Sequence, residues 1–151
     1  MTDIVIIGSG FSACTAVRML RGSGYRDSIT LIAPRADLFY YPSLIWVASG
    51  GRKEPDLRIN LDNFFRKHNI KHLAASVAEL DCRNKTLRTE QGETITYSYL
   101  LIASGGWYIQ KLPGLEHTHN LCRLGTDKQL GSKTEFHDIR QARVWLRRQS
   151  E

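Results

Sequence analysis

No apolar run in this chain approaches the roughly 18 to 20 residues that a membrane-spanning helix requires. The start is acidic and strand-like rather than a basic, apolar leader, so a cytoplasmic location is expected. Cysteine is scarce. Cys14, Cys82 and Cys122 are widely spaced and form no C-x-x-C, which leaves zinc unsupported and argues against a disulfide framework. Each is expected to be a small buried hydrophobe or an inert thiol. His68, His72, His117, His119 and His137 have no metal-ligand spacing joined to acidic or Cys partners, so no metal site is expected. Charge of one sign is also not concentrated. The net charge of +6 comes from basic residues scattered along the chain apart from a group near the C-terminus. A phosphate-bearing ligand or an anionic membrane surface accounts for that surplus as well as a nucleic acid does, and nucleic acid is not the expected partner.

What the chain does have begins at its opening, Asp3 to Ala13, which reads D-I-V-I-I-G-S-G-F-S-A. Four branched apolar residues, Ile4 to Ile7, suit a strand of a parallel sheet covered on both faces. A helical pattern follows the glycine turn at once, with Ala13, Ala16, Val17 and Leu20 on one face. Gly8 permits a tight turn, Gly10 lets backbone approach a pyrophosphate, and Ala13 is small enough for close helix–strand packing. The helix N-terminus offers N–H groups and partial positive charge to phosphate. A lone G-x-G-x-x-A is a weak signal that a structural turn explains equally well. The strand before, the helix after and a second strand at Ser28 to Ala33 supply the context of a dinucleotide cradle.

Along the chain, Arg21-Gly22-Ser23-Gly24 supplies a helix stop, and S-I-T-L-I-A reads as a strand parallel to the first. In the dinucleotide fold the end of this second strand normally carries an acid on the ribose hydroxyls. Here Ala33, Pro34 and Arg35 stand there, so the ribose falls to backbone, to Arg35 or to Asp37. Leu38 to Gly50 is the most apolar and aromatic stretch, and Pro42 divides it ahead of a helix turn at Ser43 to Ala48. It is either a core loop or the lining for a flat aromatic ring. Leu57 to His68 reads as an extended piece and then a helix capped by Asn60 or Asp62, with Phe64 and Phe65 inward. Ile70 to Leu80 gives one or two strands, and Lys85 to Tyr99 a β-hairpin around Gln91-Gly92 that forms a small antiparallel flap. Tyr99 to Ser104 is expected to be a further buried strand, running into Gly105-Gly106.

Together, G-S-G-F-S-A, L-F-Y-Y-P-S-L-I-W-V-A-S-G and Y-S-Y-L-L-I-A-S-G-G followed by L-P-G resemble the N-terminal FAD-binding part of the two-dinucleotide-domain flavoprotein oxidoreductases. The aromatic-Pro segment looks most like sulfide:quinone oxidoreductases, flavocytochrome c sulfide dehydrogenase flavoproteins and type II NADH:quinone reductases. The resemblance implies an α/β fold: a Rossmann-like parallel sheet with helices on its faces and a small antiparallel β flap. It covers residues 1–125, with 126–151 a C-terminal basic amphipathic helix or connector.

The resemblance also implies site roles. Gly8, Ser9, Gly10, Phe11, Ser12 and Ala13 would cradle the FAD pyrophosphate, and the Ala33-Pro34-Arg35 turn would lie at the adenosine ribose. Pro42 and Ser43 would border the isoalloxazine, Val77 would meet the adenine through its backbone, and Ala103-Ser104-Gly105 matches the family's Ala-Thr-Gly turn. Cys122, which follows Pro113-Gly114, occupies the place of a redox cysteine in sulfide:quinone reductases; an isolated cysteine is otherwise structural. Quinone, with NADH or sulfide, would be the substrates.

Family members are two to three times longer, and a returning segment completes their FAD domain. This chain is expected to be a fragment, to be completed by a partner chain or a homodimer, or to be a shortened relative without full activity. Lys133 to Glu151 suggests an amphipathic helix, with Arg140, Arg143, Arg147 and Arg148 on its wetter side. It is either a docking helix or a peripheral membrane contact at the inner face. A non-catalytic nucleotide-binding or interaction module is the rival from another class.

Overall fold

The computed structural model describes residues 3–48 and 51–106. The described chain falls into two compact units: residues 3–38 with 60–106, and residues 39–59.

The first unit begins with strand β1 (Ile4–Ile7) and helix α1 (Phe11–Gly22), followed by β2 (Ile29–Ile32). Strand β3 (Asp37–Phe39) carries the chain into the second unit. That unit holds a 3₁₀ turn at Tyr41–Ser43 and the short helix α2 (Leu44–Ala48). The chain returns through β4 (Arg58–Asn60), which pairs with β3. Helix α3 (Asp62–Lys67), β5 (Lys71–Leu73), β6 (Val77–Asp81), β7 (Thr86–Thr89), β8 (Thr94–Thr96) and β9 (Tyr99–Ile102) complete the described residues.

Four strands form a parallel sheet in the order β5-β2-β1-β9. The two faces of β1 and β2 serve different layers, as the two-residue period of a strand requires. Ile6, Ile29 and Leu31 pack with Ala13 and Val17 of α1 and with Leu61 and Phe65 of the α3 segment. Val5 and Ile32 face the other way, against Ala75, Leu87, Leu80 and Ile95. The antiparallel sheet β6-β7-β8 covers that second face, so both sides of the apolar strands are buried. The expected hairpin thus gains a third strand, β6, while β5 joins the parallel sheet instead.

Three local expectations are revised. Leu61 is the N-cap of α3, but Asn60 still serves the first turn: its Oδ1 accepts the Asp62 N–H at 2.8 Å. Cys82 is exposed, so of the two readings given for the cysteines the buried hydrophobe does not hold for it. Tyr99, Leu101 and Ile102 of β9 are also exposed, although the strand pairs with β1 over its whole length. A continuous apolar run specifies a strand but says nothing about whether each face is covered.

One side chain closes the end of this unit. Arg21, in the last turn of α1, donates from Nε to the His68 carbonyl at 2.8 Å, and from Nη2 to the Asn69 carbonyl at 3.1 Å. Its Nη1 donates to the Tyr25 and Asp27 carbonyls at 2.9 and 3.0 Å. A planar guanidinium satisfies in this way four carbonyls of the segments that follow the two helices. The same charge bears on His68, whose ring lies against Phe64 with centroids 4.5 Å apart. Burial, with help from Lys67, Arg18 and Arg21, holds the His68 imidazole below its ordinary value of 6.5.

Because the unfolded chain then takes up a proton on His68 more readily than the folded one, stability is highest above pH 6.5 and falls as the pH drops toward the folded-state pKa. Urea denaturation of wild type and His68→Gln between neutral and mildly acidic pH checks this. The variant is expected to lose stability less steeply below pH 6.5, and parallel slopes would remove His68 from the pH response.

Candidate functional site

The glycine turn lies at the carboxyl end of the parallel sheet, where β1, β2 and β9 finish side by side. Gly8 has φ +106°, a conformation that side-chain-bearing residues rarely adopt. A Cβ on Gly8 would lie 2.3 Å from the Ala103 carbonyl oxygen and 2.7 Å from its carbon. The close approach arises because the Ala103 N–H donates to the Ile7 carbonyl at 2.8 Å, continuing the β1–β9 ladder into both turns. Gly10 is the opposite case: an added Cβ would meet nothing within 4 Å. The first glycine is required by the protein's own backbone, and the second faces open space.

Gly10 is also the N-cap of α1, a helix of 12 residues. No side chain caps it and its first turn carries no acid. The helical ladder starts with the Cys14 N–H on the Gly10 carbonyl at 3.0 Å, so the amides of Ser12 and Ala13 precede the first rung. Ser, Thr, Asp or Asn at such a position would occupy one of these amides with its own side chain. Here the amides and the positive end of the helix dipole are left to a ligand, and an anion is the ligand they suit.

The turn after β2 is fastened beside this cradle. Gly8 N–H donates to the Ile32 carbonyl at 2.8 Å, and Ser9 Oγ donates to the Asp37 carbonyl at 2.7 Å. Ala33 is buried, with its N–H on the Leu73 carbonyl at 3.1 Å. Its own carbonyl lies 2.9 Å from His72 Nε2, and since a carbonyl can only accept, Nε2 carries the proton. His72 is held in turn by stacking on Phe65, centroids 5.2 Å apart. Sequence reasoning missed His72, because a hydrogen bond across 39 positions leaves no local signal. Arg35 lies outward with its Nε 3.3 Å from Asp37 Oδ2.

Of the other residues singled out from the sequence, Val77 packs in the apolar cluster that includes Ile7 and Ile32, the residues preceding Gly8 and Ala33. Ser104 and Gly105 continue from Ala103, with Gly105 at φ +84°. Cys14 donates its S–H to the Ser9 carbonyl at 3.7 Å, and burial pushes its thiol pKa up, which makes it a poor nucleophile. Cys122 and the helix expected at 133–151 lie outside the described residues.

Pro42 and Ser43 belong to the second unit. Pro42 is in the 3₁₀ turn, and the buried Ser43 hydroxyl accepts from Arg52 Nη1 at 2.9 Å. Leu57 is buried there and Tyr40 N–H donates to its carbonyl at 2.8 Å, while Tyr41, Ile45 and Trp46 are exposed. Arg58 stacks over Phe39 at 5.3 Å and pairs with Glu54 at 3.1 Å. The aromatic segment is therefore a core loop only in part.

Residues 2–141 match the family model described as pyridine nucleotide-disulphide oxidoreductase. The chain belongs to that family. It is 31% identical over 102 residues to the sulfide-quinone reductase of Aquifex aeolicus, an alignment that takes in 68% of this chain and 24% of that protein. It is 33% identical over 106 residues to the NADH-rubredoxin oxidoreductase of Clostridium acetobutylicum, with 69% of this chain and 27% of the relative covered. Among solved structures, the Aquifex aeolicus sulfide:quinone oxidoreductase superposes with a TM-score of 0.76 at 28% identity, covering 87% of this chain and 32% of that one. The chain spans about a quarter of the length of the two curated relatives.

The pyridine nucleotide-disulphide oxidoreductases are FAD-binding flavoproteins, and the residues present fit that cofactor. An FAD pyrophosphate needs unobstructed backbone at the second glycine and an uncapped helix start, and both are here. The contrast between the two glycines can be measured. Gly8→Ala should destabilise the fold by about 2 kcal/mol or more, combining backbone strain with overpacking against Ala103. Gly10→Ser should leave the urea midpoint unchanged or raised, since serine is a good N-cap. Equal losses in both variants would show that Gly10 is structural.

Proposed function

We propose that this chain is the FAD-binding portion of a flavoprotein oxidoreductase of the sulfide:quinone or NADH:quinone type. The observation that supports it most is the helix start at Gly10, uncapped and open, backed by a first glycine that Ala103 pins in place. The amides of Ser12 and Ala13 would hold the pyrophosphate, and the Ala33-Pro34-Arg35 turn would lie along the adenosine ribose. Ala103, Ser104 and Gly105 would bring a second stretch of backbone to the cofactor. Bound flavin supplies the electron-transfer chemistry, and the protein's part is binding, orientation and exclusion of water. Burial of Ile6, Val17, Leu31 and Phe65 beneath the cradle gives the amides a rigid base, so little ordering remains to be done when the ligand arrives.

The electron donor and acceptor in this proposal come from the relatives. A sulfide-quinone reductase and an NADH-rubredoxin oxidoreductase align over about 70% of this chain. A cytoplasmic site of action, peripheral to the inner face of a membrane, goes with a quinone acceptor. Cys122 is the proposed redox thiol of the sulfide-oxidising version.

The rival version is a non-catalytic nucleotide-binding module, which the same open helix start would serve. Titration with FAD and with 5′-ADP, followed by flavin absorbance and by thermal shift, separates the two. Retained yellow flavin that raises the melting temperature is expected. Binding of 5′-ADP alone would favour the module, and no response to either would remove the nucleotide assignment. Gly10→Ser should weaken FAD by about tenfold or more, because its hydroxyl takes the amides that the pyrophosphate needs and its Cβ enters the cradle.

A further inference from the structure

The second strand ends in Ala33, where a dinucleotide fold ordinarily places an acid on the ribose hydroxyls. Without a carboxylate to draw those hydroxyls in, the fit of an adenosine depends on where the Ala33-Pro34 backbone lies. Both polar backbone groups of Ala33 are held from the β5 strand. Its N–H donates to the Leu73 carbonyl at 3.1 Å, and its carbonyl accepts from His72 Nε2 at 2.9 Å. The first bond carries the β2–β5 ladder one step further and uses only the backbone of Leu73. The second comes from a side chain, so it exists only because residue 72 is a histidine.

The register of the sheet explains how that side chain reaches Ala33. β5 runs parallel to β2 with His72 opposite Leu31. Leu31 and Ala33, two positions apart, lie on the strand face that packs with α1 and the α3 segment. His72 stacks there on Phe65, with ring centroids 5.2 Å and planes 26° apart. An apolar side chain would satisfy Phe65 as well, but only a donor can serve the carbonyl. Pro34, which follows, has no N–H with which to fasten the turn itself. Further along, the Ala36 carbonyl accepts from the Leu61 N–H at 2.9 Å and the Asp37 carbonyl from Ser9 Oγ at 2.7 Å.

We infer that His72 is a positioning residue for the adenosine part of the cofactor, holding the Ala33-Pro34 turn where the ribose is to lie; this rests on the dinucleotide cradle proposed above. In this role His72 touches no ligand and acts through the Ala33 carbonyl. Releasing that carbonyl lets the turn leave its binding-competent place, and the apparent affinity falls with the fraction of molecules that keep it. The ring's contact with Phe65 supports the fold, whereas the Nε2 hydrogen bond supports the ligand.

The test separates the donor from the ring. His72→Phe keeps an aromatic against Phe65 and has no donor, while His72→Gln keeps an N–H donor and has no ring. The full chain of each variant and of wild type is titrated calorimetrically with FAD and with 5′-ADP, and its urea midpoint is measured in parallel. His72→Phe is expected to bind both nucleotides about fivefold or more weakly, the loss of one hydrogen bond of ordinary strength. His72→Gln should stay within about twofold of wild type in affinity, although its urea midpoint falls with the lost stacking. His72→Leu lacks both features and should bind as weakly as the Phe variant, which it replaces if that variant does not fold. Unchanged affinity in the donor-less variants, or losses that follow the urea midpoint instead of the donor, would make His72 merely structural and leave the cradle standing. If wild type binds neither nucleotide, the cradle reading falls and the inference falls with it.

Discussion

The contact between Gly8 and the backbone of Ala103 is the constraint on which the site depends. Two parallel strands in register, Ile4 with Tyr99 through Ile7 with Ile102, end at the same level. The chains leaving them pass so close that a single methyl group on Gly8 would sit 2.3 Å from a carbonyl oxygen. Parallel pairing normally demands long crossovers, and here more than 90 positions separate the two partners. The tight turn at Gly8 follows from that long-range pairing, and it aims α1 so that its N-terminus opens at the sheet's end. The site is therefore a product of the sheet's topology as much as of its glycines.

A second set of contacts makes the neighbouring turn equally definite. Ser9 reaches Asp37, His72 reaches Ala33, and Leu61 reaches Ala36. Each is individually worth only about 1 kcal/mol. Together they fix the path of residues 33–37 through segments otherwise remote in the chain. A turn fixed in this way keeps its backbone in a constant place beside the glycine turn, so little ordering is left for a ligand to impose.

Much of this was legible in the sequence, for local reasons. Ile4 to Ile7 is apolar at every position, so it had to be a strand buried on both faces, and β1 is one. The helix face of Ala13 and Val17, the stop at Gly22, and the turn at Gly92 were equally local. What escaped was decided at a distance. The apolar run at Tyr99 to Ile102 gave strand β9 correctly, yet its exposure depends on what lies over it, and sequence periodicity carries no such information. Likewise Glu79 and Leu80 belong to β6 of the antiparallel sheet, since the partner of a strand is chosen by the whole fold. His72 received no role beyond its lack of metal-ligand spacing, because nothing in its vicinity announces Ala33.

The Arg21 fork has a consequence for how this unit comes apart. Its donors hold carbonyls at positions 25, 27, 68 and 69, so the segments that follow α1 and α3 share one fastening. Opening either segment takes partners from the same guanidinium, so the two are coupled through one side chain. A lysine, with three donors on one point-like ammonium and no planar fork, could not reach all four carbonyls at once and would loosen that coupling.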